Sequence, residues 1–232
     1  MFSFLVNAVS TGLDQVIGAL TGGRPDDLLL VSIGLTLTAI IIYRCGGRFW
    51  AFVYFATIPF LNWSFGVVDS IQLAAPSETF SQGVELHPLT LVTGLVFVFR
   101  DFVQRRMGQW VLVVMALAIA WSFYYAWPVI ALASGIAFAV SEMVDWALFT
   151  FTKYRLSTRI LLSSLVASPV DTSIFLYGAD LAVQMRLGEE PGSMLHAANW
   201  IVFFIGKMVG AVIVSAAVRR REDAGEISPA AL

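Results

Sequence analysis

Glu142 and Asp145 stand three residues apart, a spacing that puts both carboxylates on one face of a helix. They interrupt a stretch from about 127 to 151 that is otherwise apolar. A run of that length reads as a membrane-spanning helix. On insertion scales, an ionisable side chain at the centre of such a helix costs about 2.5–3.5 kcal/mol. Two carboxylates are tolerated there only if they meet a cavity, a partner charge or a proton. Asp171 and Lys207 interrupt two later apolar stretches, and Asp101 closes an earlier one. A Lys207–Asp171 pair would satisfy two of these groups and leave carboxylates that need a proton, a cation, a donor or water. Asn62, near the end of another apolar stretch, and Ser168, three residues before Asp171, complete the candidate set. This is chemistry of binding and proton exchange. There is no H-E-x-x-H, no G-x-S-x-G and no phosphate-binding glycine loop with a lysine, so no enzyme is expected.

The elements that must hold these residues follow from composition. Of the 232 residues, 58% are hydrophobic and 13% charged, against roughly 45–50% and about 25% in soluble domains. The apolar runs are continuous and lack the ten-residue alternation of a barrel strand. The fold class is therefore an all-α integral membrane protein. The single Cys45 excludes an internal disulfide and a multi-cysteine metal site. The first twenty residues lack a basic n-region and a small-residue cleavage signal, so no removable signal peptide is read.

Residues 1–23 repeat apolar positions at helical spacing (Phe4, Leu5, Val9, Leu13, Val16, Ile17, Leu20), a pattern that predicts an interfacial amphipathic helix. A transmembrane domain over 24–218 follows, with spans at about 27–43, 49–67, 88–103, 109–126, 129–151, 160–182 and 197–218. Residues 219–232 read as a cytoplasmic disordered tail. Pro59, Pro88 and Pro169 are expected to kink or break their helices. With the 44–48 turn in the cytoplasm, Arg44, Arg48, Arg100, Arg105, Arg106, Lys153, Arg155, Arg159, Arg219, Arg220 and Arg221 fall on that side. Only Arg24 and Arg186 fall opposite. The bias supports seven spans in a bacterial-type inner membrane, with the N-terminus outside and the C-terminus inside. This layout puts Lys207 and Asp171 near mid-membrane, Glu142 about 4–5 Å toward the cytoplasm and Asp145 one turn deeper.

Small residues accompany the charges. Ser164 and Ser168 share a face with Asp171, and Gly206 and Gly210 flank Lys207, where close helix packing is the ordinary role. His87 and His196 sit at span ends, where interfacial polar residues are ordinary. Trp146, beside Asp145, suits lipid contact or stacking on a planar ligand.

Five ordered blocks carry a resemblance. They are Asn62-Trp63; His87-Pro88-Leu89-Thr90, in a span closing at Asp101 before Arg106-x-Gly108; Ala137-Phe138-Ala139-x-Ser141-Glu142-x-x-Asp145; Ser163-Ser164 with Ser168-x-x-Asp171-Thr172; and Lys207. Over about 50–218 the chain resembles the vitamin uptake transporter family, whose best-known members import queuosine precursors. The resemblance implies a six-helix core, so the 27–43 span and the amphipathic helix are additions. Glu142 stands where many members carry Gln. The implied ligand is a 7-deazaguanine such as preQ0, preQ1 or queuine. Its guanine-like edge offers two adjacent N–H donors, which one carboxylate can accept together. Glu142, Asp145 or Asp171 would bind that edge, Lys207 would donate to the ring carbonyl, and Asn62 would gate or contact the outer side. A remaining acid would carry a proton.

The expected function is a secondary transporter importing such a purine-like micronutrient, with proton coupling open. The alternatives are a substrate-binding subunit of an energised (ECF-type) uptake complex and, ranked lower, a channel. The expected partners are the purine-like small molecule and membrane lipid, with a homodimer as a candidate assembly. Neither nucleic acid nor a cofactor is expected.

Overall fold

The computed structural model describes residues 2–65, 67–77 and 83–226. It is almost wholly helical and divides into two compact units, residues 1–46 and 47–232.

The first unit holds α1 (Phe2–Thr21), a 3₁₀ turn (Pro25–Asp27) and α2 (Leu28–Arg44). Gly22 and Gly23 end α1 with positive φ angles of 58° and 79°, a conformation that glycine adopts without Cβ strain. Leu13, Val16 and Leu20 are exposed along α1, as are Asp14 and Gln15. No charge falls between Asp27 and Arg44, and α2 leaves Leu29, Leu30, Ile33 and Leu37 exposed. In lipid these are the favourable outward residues.

The second unit holds α3 (Phe49–Ser64), a hairpin of β1 (Ile71–Ala74) and β2 (Val84–Leu86), α4 (Thr90–Met107), α5 (Val111–Tyr125), α6 (Pro128–Phe151), α7 (Leu156–Leu187) and α8 (Ala197–Asp223). The helices close a ring: α3 packs on α4, α4 on α8, α8 on α7, α7 on α6, α6 on α5 and α5 on α3. This is the six-helix core. Each of the seven expected spans coincides with one helix from α2 to α8.

Among the described residues, five helical segments are long and apolar enough to cross a membrane. They are Pro25–Arg44, Thr90–Tyr125 (α4 and α5 joined through a 3₁₀ turn), Pro128–Leu148, Leu156–Leu187 and Ala197–Asp223. The chain is a multi-pass membrane protein. At ~1.5 Å per residue, the 32 residues of α7 extend about 48 Å, beyond a hydrocarbon core of ~30 Å.

Three local features depart from expectation. Helices α3 and α7 continue through Pro59 and Pro169 without the break that was one of the two expected outcomes, and Pro88 lies just ahead of α4. The polar stretch before α4 contains the antiparallel hairpin, paired Ile71 with Leu86 and Gln72 with Glu85. Helix α8 continues to Asp223, so the first residues of the expected tail are helical, while 227–232 lie outside the described residues.

Glycines set the closest helix approaches. A Cβ on Gly94 of α4 would stand 2.0 Å from the Lys207 carbonyl oxygen of α8, and one on Gly206 would meet Thr90 at 2.8 Å. A Cβ on Gly178 of α7 would stand 2.1 Å from the Ala133 Cβ of α6. Gly206 and Gly210 therefore have the packing role that their spacing implies.

Candidate functional site

The ring of helices buries two separate charge clusters in its interior. The first is on α7 and α8. Lys207 Nζ donates to Asp171 Oδ2 at 2.5 Å and to Thr172 Oγ1 at 2.9 Å. Ser141 Oγ of α6 donates to Asp171 Oδ1 at 3.4 Å. The pairing of Lys207 with Asp171 agrees with the sequence reading.

The second cluster forms around Arg100 of α4, which the charge count assigned to a cytoplasmic flank. In the structure Arg100 is 1% exposed inside the bundle, and its guanidinium meets three carboxylates. Its Nη1 lies 3.1 Å from Asp101 Oδ1, its Nε lies 3.1 Å from Glu142 Oε2, and its Nη2 pairs with Asp145 Oδ2. Arg100 also donates to Gln104, whose amide donates to Thr150 Oγ1 at 3.0 Å. Tyr54 of α3 donates to Glu142 Oε2 at 3.2 Å. The planar, permanently charged guanidinium suits such a multi-carboxylate hub. The three-residue spacing of Glu142 and Asp145 brings both to it, as helix geometry requires. Arg159 of α7 is buried near enough to Asp101 to act on its charge.

Aromatic rings pack in the same bundle. Phe138 stacks on Phe97 at 6.3 Å between centroids and tilts against Tyr54 at 6.5 Å. A small cavity lies at the end of the helix ring nearer the hairpin. Asp171 and Lys207 line it, with Asn62, Ser64, His87, Thr90, Ser134 and the rings of Phe65, Phe138, Phe175 and Phe203. Helical spacing orders these walls. Phe175 is one turn from Asp171 on α7, and Phe203 is one turn from Lys207 on α8. Their rings are 6.3 Å apart.

Of the seven candidates, the cavity thus gathers Asn62, Asp171 and Lys207. Glu142, Asp145 and Asp101 gather on Arg100 instead, away from the cavity lining. Ser168 is buried, and its hydroxyl makes no hydrogen bond among the described residues. Trp146 does not line the cavity. Sequence reasoning gave no site role to Arg100, Tyr54 or Thr90 and read His87 as an ordinary interfacial residue. A charge balance points toward Arg100: four membrane acids against Lys207 alone call for a further cation, a proton or a donor.

The cavity roof is tied down by polar contacts outside the clusters. Asp180 of α7 accepts the backbone N–H groups of Gly192, Met194 and Leu195, which fixes the α7–α8 link. The Glu85 N–H donates to Asn199 Oδ1 at 3.2 Å, fastening β2 to α8.

No curated protein and no solved structure matches the chain. A family model described as "Putative vitamin uptake transporter" matches residues 90–219, from the start of α4 through most of α8. The match includes Arg100, Asp101, Glu142, Asp145, Asp171 and Lys207, and leaves Tyr54, Asn62 and His87 ahead of it. The match covers more than half of the 232 residues: the chain belongs to the vitamin uptake transporter family.

Proposed function

We propose that the chain is a secondary transporter for a planar, purine-like micronutrient of the 7-deazaguanine class, with Asp171 and Lys207 as the recognition pair. The observation that carries this is their unused hydrogen-bonding capacity at the cavity wall. A carboxylate has about four acceptor sites. Asp171 uses one on Oδ1 for Ser141 and one on Oδ2 for Lys207, which leaves one on each oxygen. Two adjacent N–H donors of a guanine-like edge match that remainder. An ammonium has three donors. Lys207 uses two, on Asp171 and Thr172, and the third suits the neighbouring ring carbonyl. Phe138, Phe175 and Phe203 offer apolar walls for the planar body. Asn62 adds an amide to the same cavity.

The Arg100 cluster is the proposed coupling element. Three carboxylates share the guanidinium, and like charges that close favour holding a proton. Ser141 and Glu142 are consecutive on α6, so one helix segment touches both Asp171 and Arg100. Movement of α6 would connect ligand occupancy to the charge state of the cluster. In the orientation that the basic residues favour, the cavity occupies the outer half of the bundle and the Arg100 cluster the cytoplasmic half.

Uptake of labelled preQ0 and preQ1 by cells without a transporter of their own tests this reading, with and without a proton gradient. Saturable uptake that Asp171→Asn abolishes supports it; uptake unchanged in that variant contradicts it. Binding without uptake by the expressed chain alone would indicate a substrate-binding subunit that needs an energising partner.

A further inference from the structure

Two threonines of α4 line the cavity, and only one has spent its hydroxyl. Thr93 Oγ1 donates to the Leu89 carbonyl at 3.1 Å, the ordinary back-bond of a helical threonine. Thr90 is 2% exposed, and its Oγ1 has no hydrogen-bond partner among the described residues. It is the first residue of α4, so the carbonyl four residues back, that of Leu86, belongs to β2 and not to the helix. Its methyl group packs toward α8: a Cβ on Gly206 would stand 2.8 Å from Thr90 Cγ2. A buried hydroxyl without a partner costs stability. Valine would give the same shape and the same contact with α8 without that cost. Packing alone does not call for the hydroxyl.

The setting of this hydroxyl selects its partner. Thr90 opens an 18-residue helix, whose first N–H groups have no intrahelical acceptor and carry the positive end of the helix dipole. Leu89, which precedes it, supplies no side-chain cap. Leu89, Thr90 and Thr93 bring that end of α4 to the cavity. Lys207, the residue after Gly206, adds a full positive charge to the same lining. Among the described lining residues, Asp171 is the only carboxylate. A hydroxyl can donate or accept. At a helix N-terminus, and with an ammonium in the same lining, a ligand atom carrying negative charge is favoured, so Thr90 donates. The cavity is thus polarised, with an acceptor at Asp171 and donors at Lys207 and at the start of α4.

We infer that Thr90 is a specificity-determining residue: its Oγ1 donates a hydrogen bond to a carbonyl oxygen of the ligand. The inference rests on the recognition pair proposed above and extends it to the start of α4. In a guanine-like ligand the ring carbonyl adjoins the N–H edge assigned to Asp171. Its oxygen has two lone pairs, one for the remaining Lys207 proton and one for Thr90. A ligand in which a thione replaces this carbonyl keeps the N–H edge and offers both donors only sulfur, a weak acceptor.

The test is equilibrium binding of labelled 7-aminomethyl-7-deazaguanine, and its displacement by the 6-thio analogue, in the purified parent, Thr90→Val and Thr90→Ser, with the melting temperature of each. Val keeps the shape and the Gly206 contact and removes the donor. Ser keeps the donor and gives up the methyl group. Thr90→Val is expected to bind the labelled base about tenfold more weakly, to melt no lower than the parent, and to lose most of the parent's preference for the oxo over the thio base. Thr90→Ser is expected to hold affinity within about threefold and to keep that preference. Parent-like affinity in Thr90→Val, or an unchanged oxo-over-thio preference there, overturns the Thr90 assignment while the recognition pair stands. Equal weakening in both variants also overturns it, because Ser retains the donor. So does a Thr90→Val variant that melts well below the parent, which would give the hydroxyl a role in the fold, and so does a parent without preference for the oxo base. If the parent binds neither base, the recognition pair fails, and this inference falls with it.

Discussion

The two buried clusters use similar groups in opposite settings. Around Arg100, one cation serves three carboxylates, the side chains are fully buried, and none lines the cavity. Around Lys207, one cation serves one carboxylate, and both line the cavity wall. A packed multi-partner cluster holds helices together, because every removal strands a charge. An ion pair with open hydrogen-bonding sites beside a cavity is free to exchange its remaining bonds for those of a ligand. Burial and cost are the same kind of quantity in both; only the second has somewhere to put a guest.

Removal of the hub should have the largest effect. Arg100→Met strands Asp101, Glu142 and Asp145 in the bundle and should destabilise the protein by about 3–5 kcal/mol. The expected readout is loss of folded protein from membranes, or a sharply lowered melting temperature in detergent. Lys207→Met removes one partner beside a cavity that admits water, so it should leave folded protein and abolish uptake. Equal loss of folding in both variants would erase the distinction between the clusters.

Gly94→Ala should come next. Its methyl group would lie 2.0 Å from the Lys207 carbonyl oxygen, and overpacking of this kind costs about 1–3 kcal/mol. Because α4 carries Arg100 and touches Lys207 through Gly94, both clusters should be disturbed, with reduced uptake and reduced thermal stability together.

Asp171→Asn should separate the two quantities. The amide oxygen can still accept from Lys207, so stability should change by about 1 kcal/mol, while uptake should fall by about two orders of magnitude as one acceptor becomes a donor. The smallest structural effect is expected from Glu142→Gln. Its amide oxygen can keep the Tyr54 and Arg100 contacts, and one carboxylate leaves an acid-rich site. Melting temperature should hold within a few degrees, and uptake should persist with an altered dependence on external pH. An unaltered pH response would remove Glu142 from the coupling element.

The helices were legible in the sequence because membrane insertion depends on long apolar runs, which 27–43 through 197–218 display directly. The Asp171–Lys207 pair was legible for the same reason: each is isolated in such a run. Arg100 was not. An arginine seven residues before a helix end, followed by Arg105 and Arg106, has the same local sequence as a flanking basic residue. Only the three-dimensional convergence of α4 and α6 shows that its charge is consumed inside. The hairpin was hidden because β1 is exposed over most of its length and has no apolar alternation to announce it. Thr90 was hidden because the sequence does not show that it packs on Gly206 at the cavity wall. The division of the three acids was also beyond sequence reach, since it depends on Arg100 of α4 drawing Glu142 and Asp145 while Lys207 of α8 pairs with Asp171.

The division of labour between the clusters is tested most directly by equilibrium binding of labelled 7-aminomethyl-7-deazaguanine to the purified protein, comparing Asp171→Asn with Glu142→Gln. Binding lost in Asp171→Asn and kept within about threefold in Glu142→Gln is the expected result. Binding kept in Asp171→Asn and lost in Glu142→Gln would move the recognition site to the Arg100 cluster and contradict the account.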